Sequence, residues 1–270
     1  MCEALAQQTG NYEMSQWKHW QQKNKIGRKL RVLRNVSLEE ISDGRLYGLN
    51  DMAKLGCNDC VGCSSCCRGM GNTIVLDPYD VWRLTGGLGV SLQQLLAGHL
   101  ELNVVDGIIL PNLKLAGDSE QCTFLNDAGR CSIHPYRPGI CRLFPLGRYY
   151  EEDGFHYILQ IHECEKPNRS KVKIRKWMDT PDMERYDAYI ADWHAFLKQL
   201  RIRIGAELDG ETAVKASADG ANETLSPDLA KSVSMYILQR FYLLPYDTSR
   251  DFYSQYEARM AAAKEWSENL

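Results

Sequence analysis

The chemistry legible in this 270-residue chain lies in its ten cysteines, five of which crowd into one stretch at Cys57, Cys60, Cys63, Cys66 and Cys67. Thiols at two-residue intervals can turn toward one thiophilic ion or cluster, and an adjacent Cys-Cys pair offers donors in two directions. Cys122, Cys131, Cys141 and Cys164 form a second group, while Cys2 stands apart. Metal ligation is the chemistry this spacing favours. Catalysis by a thiol nucleophile is disfavoured, because a thiolate committed to metal is a poor free nucleophile.

Composition is consistent with that reading. With 44% hydrophobic residues and a formal net charge of −3, the chain has the makings of one large or two modest globular domains. No apolar run is long enough to span a bilayer, and Met1-Cys2-Glu3-Ala4-Leu5 has no basic region leading into an apolar one, so a cytoplasmic location is expected. In a reducing compartment, cysteines at this density point to metal before disulfides.

The elements that must position the thiols can be read from pattern. Lys18, Lys23, Lys25, Arg28, Lys29, Arg31 and Arg34 gather with Trp17 and Trp20 in a basic extension. It is either a solvated face or a surface for phosphate or an acidic protein partner, with nucleic acid the lesser reading. Ser37-Leu-Glu-Glu40 has capping-box spacing. Residues 73–76 read as a short strand, and Asp77-Pro78 as the start of a helix over 79–84 that ends at Gly86-Gly87. Ser91 caps a helix over 92–100, and Asp106-Gly107 joins two strands in a hairpin. Residues 122–133 read as strand, turn and returning strand, and 146–161 as a further hairpin that delivers Cys164. Beyond Asp182 the pattern turns helical, with Met183, Tyr186, Ile190, Trp193, Leu197, Leu200 and Ile204 on one stripe. Residues 205–226 read as a loop or linker, followed by a helix opened by Ser226-Pro227 and a last helix from about Arg250. The expected fold class is α+β: a small irregular cysteine-rich metal-binding core with short hairpins and helices, plus a C-terminal helical layer. The expected divisions are 1–56, 57–166 and 167–270.

Cys60-x2-Cys63-x2-Cys66-Cys67 resembles a known family when taken with Ile74-x-Leu76-x-Pro78-x-Asp80-x2-Arg83-Leu84, Cys122-x-Phe124-Leu125 and Cys131-x-Ile133-His134-x2-Arg137-Pro138-x2-Cys141-Arg142-x-Phe144-Pro145. The pattern is similar to the YkgJ-like CxxCxxCC cysteine-cluster family, described as a zinc- or iron-chelating domain. The resemblance implies Cys60, Cys63, Cys66, Cys67, Cys122, Cys131, Cys141 and Cys164 as ligands of an iron–sulfur cluster or Zn²⁺, with Cys57 an extra thiol. Eight thiols exceed one four-coordinate ion, which leaves two centres, one larger cluster, or one centre with spare thiols. Adjacent cysteines suit a zinc ribbon less well and tilt the reading toward iron and sulfide, with a redox or metal-handling role. Two alternatives stand beside it. One is a structural zinc module that contacts a protein partner through its basic N-terminus or C-terminal helices. The other is a protein methylase, by analogy with flagellin lysine methylases that carry a similar cluster, although the chain has no complete catalytic motif. Arg68, Arg130, Arg137, Arg142 and Arg148 can offset thiolate charge or pair on the surface. His134 is either a replacement ligand or a backbone-bonded loop residue. Asp80 and Arg83 are equally well explained by a helix-surface salt bridge.

Overall fold

A helix start needs a partner for its first N–H groups, and Asp77-Pro78 supplies both halves of one. In the computed structural model, which describes residues 38–57, 63–164, 166–205 and 226–270, Asp77 and Asp80 form a reciprocal capping box at the head of helix α2 (Pro78–Leu88). The chain divides after Arg45. Of the first unit only residues 38–45 are described, with a short helix α1 (Leu38–Ile41). The basic extension, the cap at Ser37 and the 206–225 stretch lie outside the described residues.

Helix α2 does not stop at Gly86-Gly87 as the sequence suggests. It runs on to Leu88 and ends at Gly89 in a left-handed cap. Gly87 is there for close approach: a Cβ on it would overlap the ring of Tyr136. The second helix behaves as expected at its start, where Ser91 and Gln94 form a capping box for α3 (Leu92–Gly98).

Four two-stranded ladders surround these helices: β1 (Met52–Gly56) with β8 (Ser170–Lys173), β2 (Leu100–Val105) with β3 (Ile108–Leu113), β4 (Leu115–Ala116) with β5 (Gln121–Cys122), and β6 (Leu146–Glu151) with β7 (Gly154–Leu159), all antiparallel. Asp106 and Gly107, both at positive φ, make the tight β2–β3 turn, so register follows from turn chemistry. Residues 73–76 are not a strand. They make a single bridge, Val75 to Asn112.

The C-terminal helices cover this assembly. Helix α6 (Met183–Arg203) buries Met183, Tyr186, Ile190, Trp193, Leu197 and Leu200, all members of the expected stripe. Two hydrogen bonds tie the helical layer to the start of α2. The Tyr189 hydroxyl accepts from the N–H of Tyr79 (3.1 Å), and the Tyr242 hydroxyl donates to the carbonyl of Leu76 (2.9 Å). After short helices α4 (Gly139–Leu143) and α5 (Ile174–Met178), the other C-terminal elements are α7 (Pro227–Ile237) and α8 (Phe252–Glu268). Helix α7 continues into one wide π-type segment, Leu238–Leu243, where the N–H of Leu244 donates to the carbonyl of Gln239 (3.0 Å). The buried apolar residues of all these elements form one cluster. The architecture is α+β, with short hairpins and a helical C-terminal layer. No described helix is long and apolar enough to cross a membrane.

Phe241, on the π-type segment, is fully buried against Trp193 and Phe196. Phe241→Ala is expected to lower unfolding free energy by about 3–5 kcal/mol in chemical denaturation. Met235→Ala, on the same helical run but 54% exposed, should change it by no more than about 0.5 kcal/mol.

Candidate metal centre

Short irregular segments cannot hold side chains in place by regular backbone bonding, so each cysteine-bearing piece must be pinned from outside. Ser65–Cys67 form one 3₁₀ turn, closed by the N–H of Cys67 on the carbonyl of Ser64 (2.9 Å). That turn is pinned to β5. Arg68 makes an antiparallel bridge with Gln121, and Gly69 N–H donates to the Glu120 carbonyl (3.1 Å). Cys67 and Cys122 flank this bridge on corresponding sides.

The next stretch is a loop rather than the expected pair of strands, because only one bridge, Leu125 to Cys131, survives its turn. Its shape comes from hydrogen bonds of Ser132 N–H to Phe124 O (2.8 Å) and Asn126 N–H to Arg130 O (2.9 Å). The Asn126 side chain also accepts from Arg130 N–H (2.9 Å). The loop folds Cys131 back toward Cys122. In both, the backbone N–H two residues ahead, of Phe124 for Cys122 and of Ile133 for Cys131, favours the thiolate and opposes the rise that burial imposes.

Cys141 arrives on α4, and Asp80 holds that helix. The buried Asp80 carboxylate accepts the N–H of Gly139 through Oδ1 (2.7 Å) and, through Oδ2, the N–H of Asp77 in the α2 capping box (3.3 Å). The expectation of a helix-surface salt bridge for Asp80 and Arg83 is therefore replaced. Asp80 is interior, and Arg83 donates to the carbonyl of Pro135 (2.5 Å). Burial, followed by the nearby Asp77 charge, raises the Asp80 carboxyl to about 7, against the opposing pull of Arg142. Arg142 is itself 2% exposed and donates to the carbonyl of Arg137 (2.7 Å), so it is an interior cation. Arg148 lies over the rings of Phe155 and Tyr186.

Five sulfurs lie near enough to act on one another. The Cys66 thiol is drawn down to about 7, chiefly by a hydrogen bond from Cys67, with help from its own N–H and from Arg137. Cys67 is pushed up by donating that bond, by burial and by charge on Cys66, Cys141 and Cys131. Burial raises Cys122, Cys131 and Cys141, and charge on Cys66 pushes all three the same way. Cys66, Cys67, Cys122, Cys131 and Cys141 are thus one electrostatic group drawn from both cysteine clusters. Cys63 sits just outside the turn, with its sulfur 3.6 Å from Ser65 Oγ, and Cys60 lies outside the described residues. Cys57 directly follows β1, whose Gly56 pairs with Ser170, and Cys164 lies in the irregular stretch after β7. His134 belongs to a 3₁₀ turn, His134–Tyr136, while His156 pairs with Glu151 on the β6–β7 surface (3.3 Å).

The donor set fits a thiophilic metal, because five soft, partly buried thiols, two with backbone N–H support, meet in one region. The fit is chemical more than geometric. Among the described residues, no three or more His, Cys, Asp and Glu side chains are drawn into a cage around one point. Residues 59–170 match the CxxCxxCC family. Its description reads "Putative zinc- or iron-chelating domain". The match takes in all eight cysteines of the expected ligand set and leaves out Cys57, the thiol that also falls outside the spacing pattern. No curated protein and no solved structure matched the chain. Residues 59–170 are therefore similar to a zinc- or iron-chelating cysteine-cluster domain.

Sequence reasoning overlooked Tyr186 as part of this site, because its place on the helical stripe marked it only as core. Its hydroxyl has no hydrogen-bond partner, and it seals the N-terminus of α4. A Cβ on Gly139 would overlap that hydroxyl, while the ring carbon Cζ would sit at an ordinary 3.5 Å. Gly139→Ala is expected to cost about 1–3 kcal/mol of unfolding free energy. In a Tyr186→Phe background the same change should cost at least about 1 kcal/mol less, read by a double-mutant cycle in denaturant. Equal costs in both backgrounds would show that the hydroxyl does not limit this contact.

Proposed function

We propose that the protein carries an iron–sulfur cluster held by thiolates from both cysteine groups, in a redox or metal-handling role. The observation that carries this reading is the mutual influence of Cys66, Cys67, Cys122, Cys131 and Cys141, five thiols from four separate segments, with the Asp80 carboxylate also acting on Cys141. Cys60, Cys63 and Cys164 bring the proposed set to eight thiols, enough for two four-thiolate clusters, one larger cluster, or one cluster with spare thiols. A cluster in this position supplies one-electron chemistry, or a Lewis-acidic iron where a thiolate is missing.

The chain's own residues support such a group in three ways. The N–H groups of Phe124 and Ile133 favour the thiolate of Cys122 and Cys131, and such donors to sulfur ease the reduction of a bound cluster. Arg137 lowers the pKa of both Cys66 and Cys131, and Arg130 acts on Cys131, so positive charge offsets excess thiolate. Asp80, through Gly139, fixes the helix that brings Cys141.

A structural zinc site is the second reading, favoured by one specific observation. The segments that bear the thiols have little regular structure: a three-residue turn, a two-residue strand and a single bridge. Metal could supply the missing folding energy, which for structural zinc reaches about 10–16 kcal/mol.

Metal and acid-labile sulfide measured on protein purified without oxygen separate the two. The cluster reading expects iron and sulfide with broad visible absorption. Stoichiometric zinc without sulfide would replace it with the structural reading. In either case Cys66→Ser and Cys141→Ser should each reduce bound metal, while Cys2→Ser leaves it unchanged. Equal metal in all three variants would undo the joining of the two cysteine groups.

A further inference from the structure

A second site candidate lies among the C-terminal helices, beyond the residues matched by the family. Arg240, Leu244, Arg250, Ser254, Gln255, Ala258 and Arg259 line an open cleft of about 290 Å³. Three of these seven residues are arginines and none is acidic.

The arginines differ in what they are free to do. Arg259 is 7% exposed and committed to the backbone. Its guanidinium donates to the carbonyls of Arg240 (3.1 Å), Leu244 (2.7 Å) and Pro245 (2.7 Å), and lies 3.5 Å above the Tyr246 ring. It therefore closes the carbonyl end of the π-type segment and leaves a fixed positive charge in the cleft wall. Arg240 sits on that segment, and its buried Nε has no hydrogen-bond partner. Arg250 is exposed at the rim.

Asp247 and Asp251 flank the cleft, and Asp247 feels the charge of Arg250. Asp247 accepts from the backbone and hydroxyl of Ser249 (2.9 and 2.6 Å), and Asp251 from those of Ser254 (2.8 and 2.7 Å) and from Arg185 (3.1 Å). Gln255 is likewise held by Asp247 N–H and by the carbonyls of Asp247 and Asp251. Burial lowers the pKa of Arg259 against the opposing influence of Tyr246, with a smaller push from the charge of Arg240. Like charges are thus held together in a concave wall that no side-chain anion fills. A π-type turn is a costly distortion of a helix and is found often where a side chain must be aimed at a ligand.

We propose that this cleft binds a phosphate group, free or esterified, with Arg240 and Arg250 as the ligating side chains and Arg259 as the fixed charge behind them. Guanidinium donors match phosphate oxygens in pairs. A phosphate dianion can meet the Arg240 and Arg250 guanidiniums together, whereas a single carboxylate meets one. The volume exceeds that of inorganic phosphate alone and leaves room for a small organic group. The site is independent of the metal centre and needs no assumption about which metal is bound.

The test is calorimetric titration of the full-length, metal-loaded protein with inorganic phosphate, with glycerol 3-phosphate and with acetate. Saturable binding of phosphate is expected, with acetate weaker. Tighter binding of the ester would identify a phosphorylated metabolite, and equal binding a free-phosphate site. Arg240→Gln and Arg250→Gln should each weaken binding by about ten-fold, the loss of one charge-assisted contact. Arg250 is a surface residue, so its variant keeps the test valid if Arg240→Gln fails to fold. Bound metal should be unchanged in Arg250→Gln. Absence of saturation up to about 10 mM phosphate, or undiminished affinity in the folded variants, would overturn the proposal.

Discussion

The buried carboxylate of Asp80 joins two helices through residues 59 positions apart in the chain. One oxygen completes the capping box of α2, and the other receives the N–H of Gly139 at the head of α4. Its cost is visible in the raised pKa that burial imposes, and Arg142 on α4 lies close enough to oppose that rise. Removing such a group strands its donors and leaves Arg142 less compensated, the situation in which breaking a buried polar pair costs several kcal/mol. Cys141 is two residues beyond Gly139, so the position of one sulfur is set by a carboxylate on a different helix.

The other sulfurs are placed by the same economy of means. No cysteine of the five-sulfur group lies inside a long strand or helix. Cys67 and Cys122 flank the Arg68–Gln121 bridge, Cys131 is turned back by a short loop, and backbone N–H groups favour the thiolate of Cys122 and Cys131. Behind them stands a large aromatic core. Tyr79, at the start of α2, touches Tyr186, Tyr189, Phe252 and Tyr253. The C-terminal helices thus form the wall against which the helix carrying Asp80 is set, although the family match does not extend to them.

Much of this was legible locally. Asp77-Pro78 announced the start of α2, Asp106-Gly107 the β2–β3 turn, and the 183–204 stripe a helix whose apolar face had to be covered. The departures arose where the deciding partner is distant in sequence. Gly86-Gly87 reads as a helix end, yet Gly87 lies against the Tyr136 ring and the helix continues. Asp80 reads as a surface acid because Gly139 lies 59 residues away. Residues 122–133 read as two strands because alternation and a turn were present, but local hydrogen bonds took the place of a ladder. The π-type turn at Leu238–Leu243 has no sequence signal of its own. It depends on Arg259 reaching back to carbonyls at its end.

The central claim is that thiols from two distant cysteine groups serve one sulfur-only centre. X-ray absorption at the edge of the bound metal tests it most directly. The account predicts a nearest-neighbour layer of sulfur at about 2.3 Å without nitrogen or oxygen, and a loss of sulfur scattering in both Cys67→Ser and Cys122→Ser. A layer dominated by nitrogen or oxygen, or one that changes in only one of the two variants, would contradict it.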